Sequence, residues 1–244
     1  MHPQHKAILA SIRKHSGKPT QHTFLDSYLG NNHPRYPINV PTLRMIARAW
    51  MIPPAAGKRR DMSAGEFCEI LSSLIKGKSS TEKCMAGLLL DVSLPSQRKF
   101  DPEVFAGWLD HLEGWVEIDT LCTGQFATSE IPGQWKKWKP LLNQLSKSKN
   151  INKRRASLVL LCSPLRKRED KSLVGQALAT IDRLKAEREI IITKAISWVL
   201  RSASIHHKDL VKKYLALNED TLPNIAVRET MTKLRTGRKT KPKS

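Results

Sequence analysis

Gly114-Trp-Val-Glu-Ile-Asp-Thr-Leu-Cys122 carries a helical period. Trp115, Ile118, Asp119 and Cys122 stand at i, i+3, i+4 and i+7 and share one face, apolar apart from a single carboxylate. An ionised carboxylate desolvated beside an indole is costly unless a positive charge or hydrogen-bond donors answer it. Asp119 therefore has two readings. Either it hydrogen-bonds a neighbouring helix, the common fate of a lone Asp on a helix face, or it waits for a cation in a chain that is basic nearly everywhere else.

The same period continues outward from this stretch. On the N-terminal side it predicts helices over His5 to His15, Thr23 to Leu29, Val40 to Trp50, Ser63 to Lys76, Ser80 to Val92 and Asp101 to Leu112. On the C-terminal side it predicts helices over Trp115 to Phe126, Gln134 to Ser146, Asn152 to Leu161, Lys171 to Leu184, Arg188 to Ser204, His207 to Leu217 and Asn224 to Leu234. Pro53-Pro-Ala-Ala-Gly57, Pro95 and Ser163-Pro164 act as breaks. Pro41 falls in a first turn, where proline is tolerated. Ser63 and Glu66 have capping-box spacing, and Asp101 stands as a cap before Pro102. No alternating strand pattern and no Asn-Gly hairpin turn occurs.

Helices in pairs on short loops, repeating roughly every 35 to 45 residues, predict an all-α fold. The expected architecture is HEAT-like antiparallel helix-pair repeats forming a curved α-solenoid with a basic concave face, with a globular bundle as the alternative. Residues 1–235 are expected to form a single helical-repeat domain. Residues 236–244 (Thr-Gly-Arg-Lys-Thr-Lys-Pro-Lys-Ser) lack an apolar anchor and are expected to be a disordered basic tail.

Across 244 residues, 40% hydrophobic and 26% charged content are globular values. The longest apolar runs fall short of the ~18 residues of a membrane span, and the opening Met1-His-Pro-Gln-His-Lys lacks the apolar core of a signal peptide. A soluble, cytoplasmic protein is expected, associated with the nucleoid in a bacterium. Cys68, Cys84, Cys122 and Cys162 are widely spaced within apolar helical patterns, with no C-x-x-C and no nearby histidine at zinc-ligand spacing. They read as buried thiols in a reducing compartment. His206-His207 is the only adjacent histidine pair and reads as solvated rather than as a metal site.

The formal net charge of +20 points to a polyanion, nucleic acid before membrane, since no segment has a large exposed apolar face to insert. From Lys136 to Arg168 there are eleven Lys or Arg and no Asp or Glu. Arg154 and Arg155 lie in the first turn of a helix, where positive charge opposes the dipole, so local stability does not explain them. Free backbone N–H groups with arginine make a phosphate seat, against the alternative of a solvated basic turn. In Ile190 to Ser204, Ile192, Ile196, Val199 and Ala203 form the core face. Lys194, Trp198 and Arg201 stand at i, i+4 and i+7 on the adjoining face, where the indole could pack under a helix or present itself to a sugar or base. Tyr28 and the loop Pro34-Arg-Tyr-Pro-Ile-Asn-Val-Pro41, with Arg35 and Asn39, precede a helix bearing Arg44. Loops stiffened in this way often touch ligands, whereas lone aromatic loop residues more often pack. Trp135-Lys-Lys-Trp138 sets two indoles among lysines, a pattern of helix-pair contacts more than of nucleic acid.

A Gly-rich phosphate loop, G-x-S-x-G, H-E-x-x-H and a paired Cys/His zinc pattern are all absent. Chemistry would therefore rest on a carboxylate, aromatics and arginine, with no metal and no nucleotide cofactor.

Four segments together resemble the AlkD-type family of DNA alkylation-repair glycosylases. Trp115-Val-Glu-Ile-Asp119 is similar to the family's W-x-x-x-D element, and Arg154-Arg-Ala156 to its R-x-A element. Lys194-Ala-Ile-Ser-Trp-Val-Leu-Arg201 is similar to K-A-I-G-W-x-L-R, with Ser197 in place of the usual Gly. Pro223-Asn-Ile-Ala-Val-Arg-Glu229 resembles the closing L-x-x-x-x-R-E segment. Asn39 stands where family members often carry Gln, which keeps the amide and shortens its reach. The likeness runs from about Tyr28 to Leu234.

The resemblance implies hydrolysis of the N-glycosidic bond of cationic N3- or N7-alkylated purines in duplex DNA, by a monomer. The positively charged purine is a good leaving group, and a carboxylate beside the anomeric carbon stabilises the oxocarbenium-like sugar and can orient water. Asp119 is the implied catalytic carboxylate. Trp115 and Trp198 would flank the deoxyribose, and Arg154 would hold the backbone phosphate. Tyr28, Arg35, Asn39, Arg44, Lys153, Arg155, Lys194 and Arg201 would contact DNA. A non-catalytic HEAT-like nucleic-acid-binding module is the alternative. A protein-binding scaffold fits the charge poorly.

Overall fold

The computed structural model describes residues 1–20, 30–54 and 57–240. Tyr28 and the helix expected over Thr23 to Leu29 lie outside them. The described residues form thirteen α-helices and two short 3₁₀ turns, and the sole β pairing among them is an isolated bridge between Thr20 and Arg35. None of these helices is long and apolar enough to cross a membrane.

The chain divides into two compact units, residues 1–126 and 127–244. In the first, α1 (Pro3–Lys14), α2 (Val40–Met51), α3 (Ala64–Ile75), α4 (Ser80–Val92), α5 (Pro102–Trp108) and α6 (Gly114–Cys122) follow in order. Helix α7 (Gly124–Gly133) begins at its end. Local chemistry sets many of the starts. Asn39 accepts from the backbone N–H of Thr42 ahead of α2, Ser63 from that of Glu66 ahead of α3, and Asp101 from that of Glu103 ahead of α5. The full capping box lies at α4, where Ser79 and Glu82 bond reciprocally.

Alternate helices stack in this unit: α2 packs along α4 and α4 along α6, while α1 and α3 form the second layer. The apolar stripes meet between the layers, with Ile8, Ile12, Met51, Phe67, Ile70 and Leu74 buried there. Phe105 and Phe126 stack at 5.4 Å and close its end.

The second unit repeats the arrangement with α8 (Trp135–Ser146), α9 (Ile151–Lys167), α10 (Lys171–Leu184), α11 (Ile190–Ala203), α12 (Lys208–Asn218) and α13 (Asn224–Thr236). Here α9, α11 and α13 stack side by side, and α8 and α10 back them. This alternation of layers is what HEAT-like repeats produce, and the all-α expectation holds.

Beyond shifts of a few residues at other helix ends, three departures from the sequence reading have a clear physical cause. Helix α6 ends at Cys122 and does not run to Phe126, because Gly124 turns at φ +84 and the Asp91 carboxylate accepts from Gln125 N–H at 2.6 Å, starting α7. Helix α9 passes through Pro164 and continues to Lys167. Residues 155 to 165 of α9 are all buried, and that packing outweighs the ~3 kcal/mol local cost of an interior proline. Helix α13 reaches Thr236, one residue into the expected tail, and stops where Gly237 adopts φ +72. Lys233 Nζ then donates to Gly237 carbonyl oxygen, and Lys239 Nζ lies 3.3 Å from Glu229.

Candidate nucleic-acid and catalytic site

Apart from Tyr28, which lies outside the described residues, the residues given a catalytic or DNA-binding role by sequence fall on α2, α6, α9 and α11 and on the loop before α2. In the first unit, Trp115 and Asp119 are both half-exposed on α6, while Glu117, Ile118, Leu121 and Cys122 of the same helix are buried. The face expected from periodicity thus grades from the buried Ile118 and Cys122 to the open Trp115 and Asp119. Thr123 Oγ1 donates to the Asp119 carbonyl at 2.6 Å and finishes the helix.

Helix α6 is held closely to α4. A Cβ at Gly87 of α4 would stand 2.5 Å from the Thr120 carbonyl oxygen, so only glycine allows the two backbones to approach this way. On its inner side Glu117 is fully buried. Its Oε1 accepts from Asn31 Nδ2 at 2.8 Å and lies 3.0 Å from His33 Nδ1, and its Oε2 accepts from Glu113 N–H at 2.8 Å. Burial first, then the charge of Glu117, pushes the Cys84 thiol up to about 12, so it stays neutral. Sequence reasoning missed Glu117, although it is the second carboxylate of an apolar helix.

The loop before α2 contributes differently from expectation. Tyr36 is buried and its hydroxyl accepts from Arg13 Nε, while Arg35 is half-exposed and bridges Thr20 through its backbone. Asn39 commits its carbonyl oxygen to capping α2, accepting from Thr42 N–H and Oγ1 at 2.8 Å each. Arg44 is exposed on α2, beside Arg48, in a groove of about 600 Å³ lined also by Pro41, Met45, Ala49 and Ile52.

In the second unit, Lys153 and Arg154 are half-exposed and Arg155 is buried at the start of α9. An anion does answer Arg154, but it belongs to the chain. Arg154 Nε and Nη2 donate to Glu187 Oε1 and Oε2 at 2.7 and 3.0 Å. Nη1 donates to the carbonyls of Ser148 and Lys149 at 2.9 Å each. Arg155 Nη1 donates to the Ile191 carbonyl, tying α9 to the start of α11. The expectation of a waiting phosphate seat at Arg154 gives way to a two-point carboxylate pair.

On α11, Ile192, Ile196, Val199 and Ala203 are fully buried, as their spacing predicts, and Lys194, Trp198 and Arg201 are half-exposed. Ser197 Oγ donates to Glu229 Oε2 of α13 at 2.6 Å and accepts from Arg201 Nε at 3.2 Å. Arg201 Nε also lies 3.5 Å from Glu229, and although burial draws its guanidinium downward, the carboxylate opposes that. The serine in place of glycine thus has a partner built for it. Trp138 proves to be core, while Lys136, Lys137, Lys139, Lys147, Lys149, Arg166, Lys167 and Arg168 are exposed. His206 and His207 bond to the Arg166 carbonyl and to Asp170 N–H. Among the described residues no cluster of three His, Cys, Asp or Glu suits a metal ion.

Stacked alternate helices carrying a basic surface define an all-α helical-repeat protein. Residues 9–234 match the family described as DNA alkylation repair enzyme, and the chain belongs to that family. Its role is therefore in DNA alkylation repair. A solved structure described as "Predicted DNA alkylation repair enzyme from Enterococcus faecalis" is similar in fold, with a TM-score of 0.68 and 17% identity over 87% of this chain and 93% of that one. No curated protein matches the chain.

Proposed function

We propose that the protein is a DNA glycosylase that hydrolyses the N-glycosidic bond of cationic N3- or N7-alkylpurines in duplex DNA. The observation that supports this most directly is the division of α6: one side locked by Glu117, Ile118 and Leu121, the other presenting Trp115 and Asp119 half-exposed. Asp119 supplies negative charge as the sugar becomes oxocarbenium-like and orients the attacking water. Trp115, one turn before Asp119 on the same helix, excludes bulk water at the deoxyribose, which strengthens that electrostatic effect. Exposed lysines of α8 and the ends of α9 attract the phosphate backbone without reading sequence.

The alternative, a binding module without turnover, draws support from Arg154, whose guanidinium is already held by Glu187. Methylated duplex DNA separates the two. With protein in excess, release of free 7-methylguanine or 3-methyladenine in a single turnover is the expected result. A protein that binds the duplex tightly and releases neither base is a binding module.

A further inference from the structure

We infer that Glu117 is a positioning residue for Asp119, fixing the rotation of α6 through the 31–36 loop; this rests on the glycosylase reading above. Two positions separate Glu117 from Asp119, so the side chains leave the helix about 200° apart, on opposite sides. Glu117 is 0% exposed and Asn31 3%. A carboxylate so placed holds only because donors answer it, and their directions determine how the helix sits.

The donors come from one short loop and the turn preceding α6. Asn31 is engaged on both sides of its amide: Nδ2 donates to Glu117 and, at 2.7 Å, to Ser80 Oγ at the start of α4, while Oδ1 accepts from His33 N–H at 2.7 Å. Asn32 N–H donates to Glu113 at 3.1 Å, and His33 Nε2 lies 3.8 Å from the same carboxylate. The loop is stitched to α4 again where Ser80 N–H donates to the Pro34 carbonyl at 2.9 Å and Tyr36 N–H to Thr81 Oγ1 at 3.0 Å. Gly30 and Gly114 both adopt positive φ, 66° and 65°, and a Cβ added at Gly30 would stand 3.6 Å from Gly114 Cα, so loop and helix backbones run close here.

Apolar burial is non-directional and leaves a helix free to settle among nearby rotations. A buried carboxylate with three directed bonds does not. Rotation of α6 about its axis would break the bonds from Asn31 and His33, so the node holds Asp119 and Trp115 at one orientation. It also ties that orientation to the loop that carries Arg35.

The test compares Glu117→Leu and Glu117→Gln with wild type and with an α3 packing variant, Ile70→Val or Leu71→Ala, chosen to match the Tm of Glu117→Leu. Single-turnover release of 7-methylguanine is measured at saturating protein well below Tm, alongside duplex affinity. Misorientation predicts that Glu117→Leu loses roughly 10- to 100-fold in release with duplex affinity nearly unchanged. Glu117→Gln, which keeps an acceptor for Asn31 and His33 and gives up only the bond from Glu113 N–H, should recover part of the rate, and the α3 variant should excise normally. A fluorine NMR signal from fluorotryptophan at Trp115, assigned by Trp115→Phe, reads helix orientation independently of chemistry. It should shift or broaden in Glu117→Leu and not in Glu117→Gln. An unchanged Trp115 signal, or a rate loss shared equally by the α3 variant, overturns the positioning role. A silent wild type with a Trp115 signal that still moves overturns only the glycosylase reading.

Discussion

Arg154 grips Glu187 at two points, 2.7 and 3.0 Å, and in the same geometry caps the carbonyls of Ser148 and Lys149. With side-chain exposures of 19% and 25%, the pair is only partly screened by solvent. Removing the arginine leaves a carboxylate and two carbonyls without their donor, so Arg154→Ala should lose about 1–3 kcal/mol of stability, seen in urea unfolding. Glu187→Gln acts in the opposite sense on DNA. It frees the guanidinium and removes a negative charge, so duplex binding should tighten and the log–log salt slope should steepen by about 0.9, one extra phosphate. Weaker binding in Glu187→Gln, with the slope unchanged, would place Arg154 off the DNA.

On the proposed glycosylase reading, the property Asp119 must supply is charge. Asp119→Asn keeps the shape and one acceptor oxygen, and Thr123 continues to bond the backbone carbonyl, so the helix end survives. Excision should fall by roughly 10²-fold or more, while affinity for undamaged duplex holds or rises slightly. An Asn variant that releases base as fast as wild type returns Asp119 to a structural role.

Gly87 separates two opposing effects. In an exposed helix interior, Gly→Ala gains roughly 0.5–1 kcal/mol. Here the added Cβ would meet backbone, at 2.5 Å from the Thr120 oxygen and 2.7 Å from its carbon, so α6 must move. Gly87→Ala should therefore lose about 1–3 kcal/mol in thermal unfolding, and excision should fall with it. A higher Tm would mean that the α4–α6 contact at Gly87 yields to a methyl group.

Acid exposes a second buried node. Burial pushes the Glu82 carboxyl up, but bonds from His5 and from Ser79 side chain and backbone more than offset it, leaving the carboxyl below its ordinary value. Because the folded value is depressed, Glu82 stabilises the fold fully above the ordinary carboxylate range, around 4.3, and that contribution fades as pH falls below it. In Glu82→Gln the urea midpoint should drop at neutral pH and then change less than wild type between about pH 5 and 3. Parallel curves for the two proteins would show that Glu82 titrates normally.

The helices were legible because burial imposes its period on the sequence: Ile192, Ile196, Val199 and Ala203 can be placed on the core face without coordinates. Pro164 misleads for a physical reason. A local rule ends the helix there, whereas the burial of every residue from 155 to 165 keeps it going. The start of α7 was hidden because its cap, Asp91, lies 34 positions back in the chain. The carboxylates were hardest to interpret. His33 and Glu117 are 84 residues apart, Arg154 and Glu187 are 33 apart, and Ser197 and Glu229 are 32 apart. No periodicity connects such pairs, so Arg154 looked like a cation in search of a phosphate and Ser197 like a plain departure from glycine.

Lys239 gives the end of the chain an unexpected division. Its ammonium lies 3.3 Å from Glu229, the carboxylate that already receives Ser197 and neighbours Arg201 on the helix bearing Trp198. The basic residues after α13 therefore do not form one uniform electrostatic appendage. A fusion partner or stop codon introduced at residue 241 leaves that lysine in place. One introduced at 237 removes a counter-charge from Glu229, and Glu229 is then left to Ser197 and Arg201 alone. Where a handle is attached for purification thus becomes a perturbation of α11.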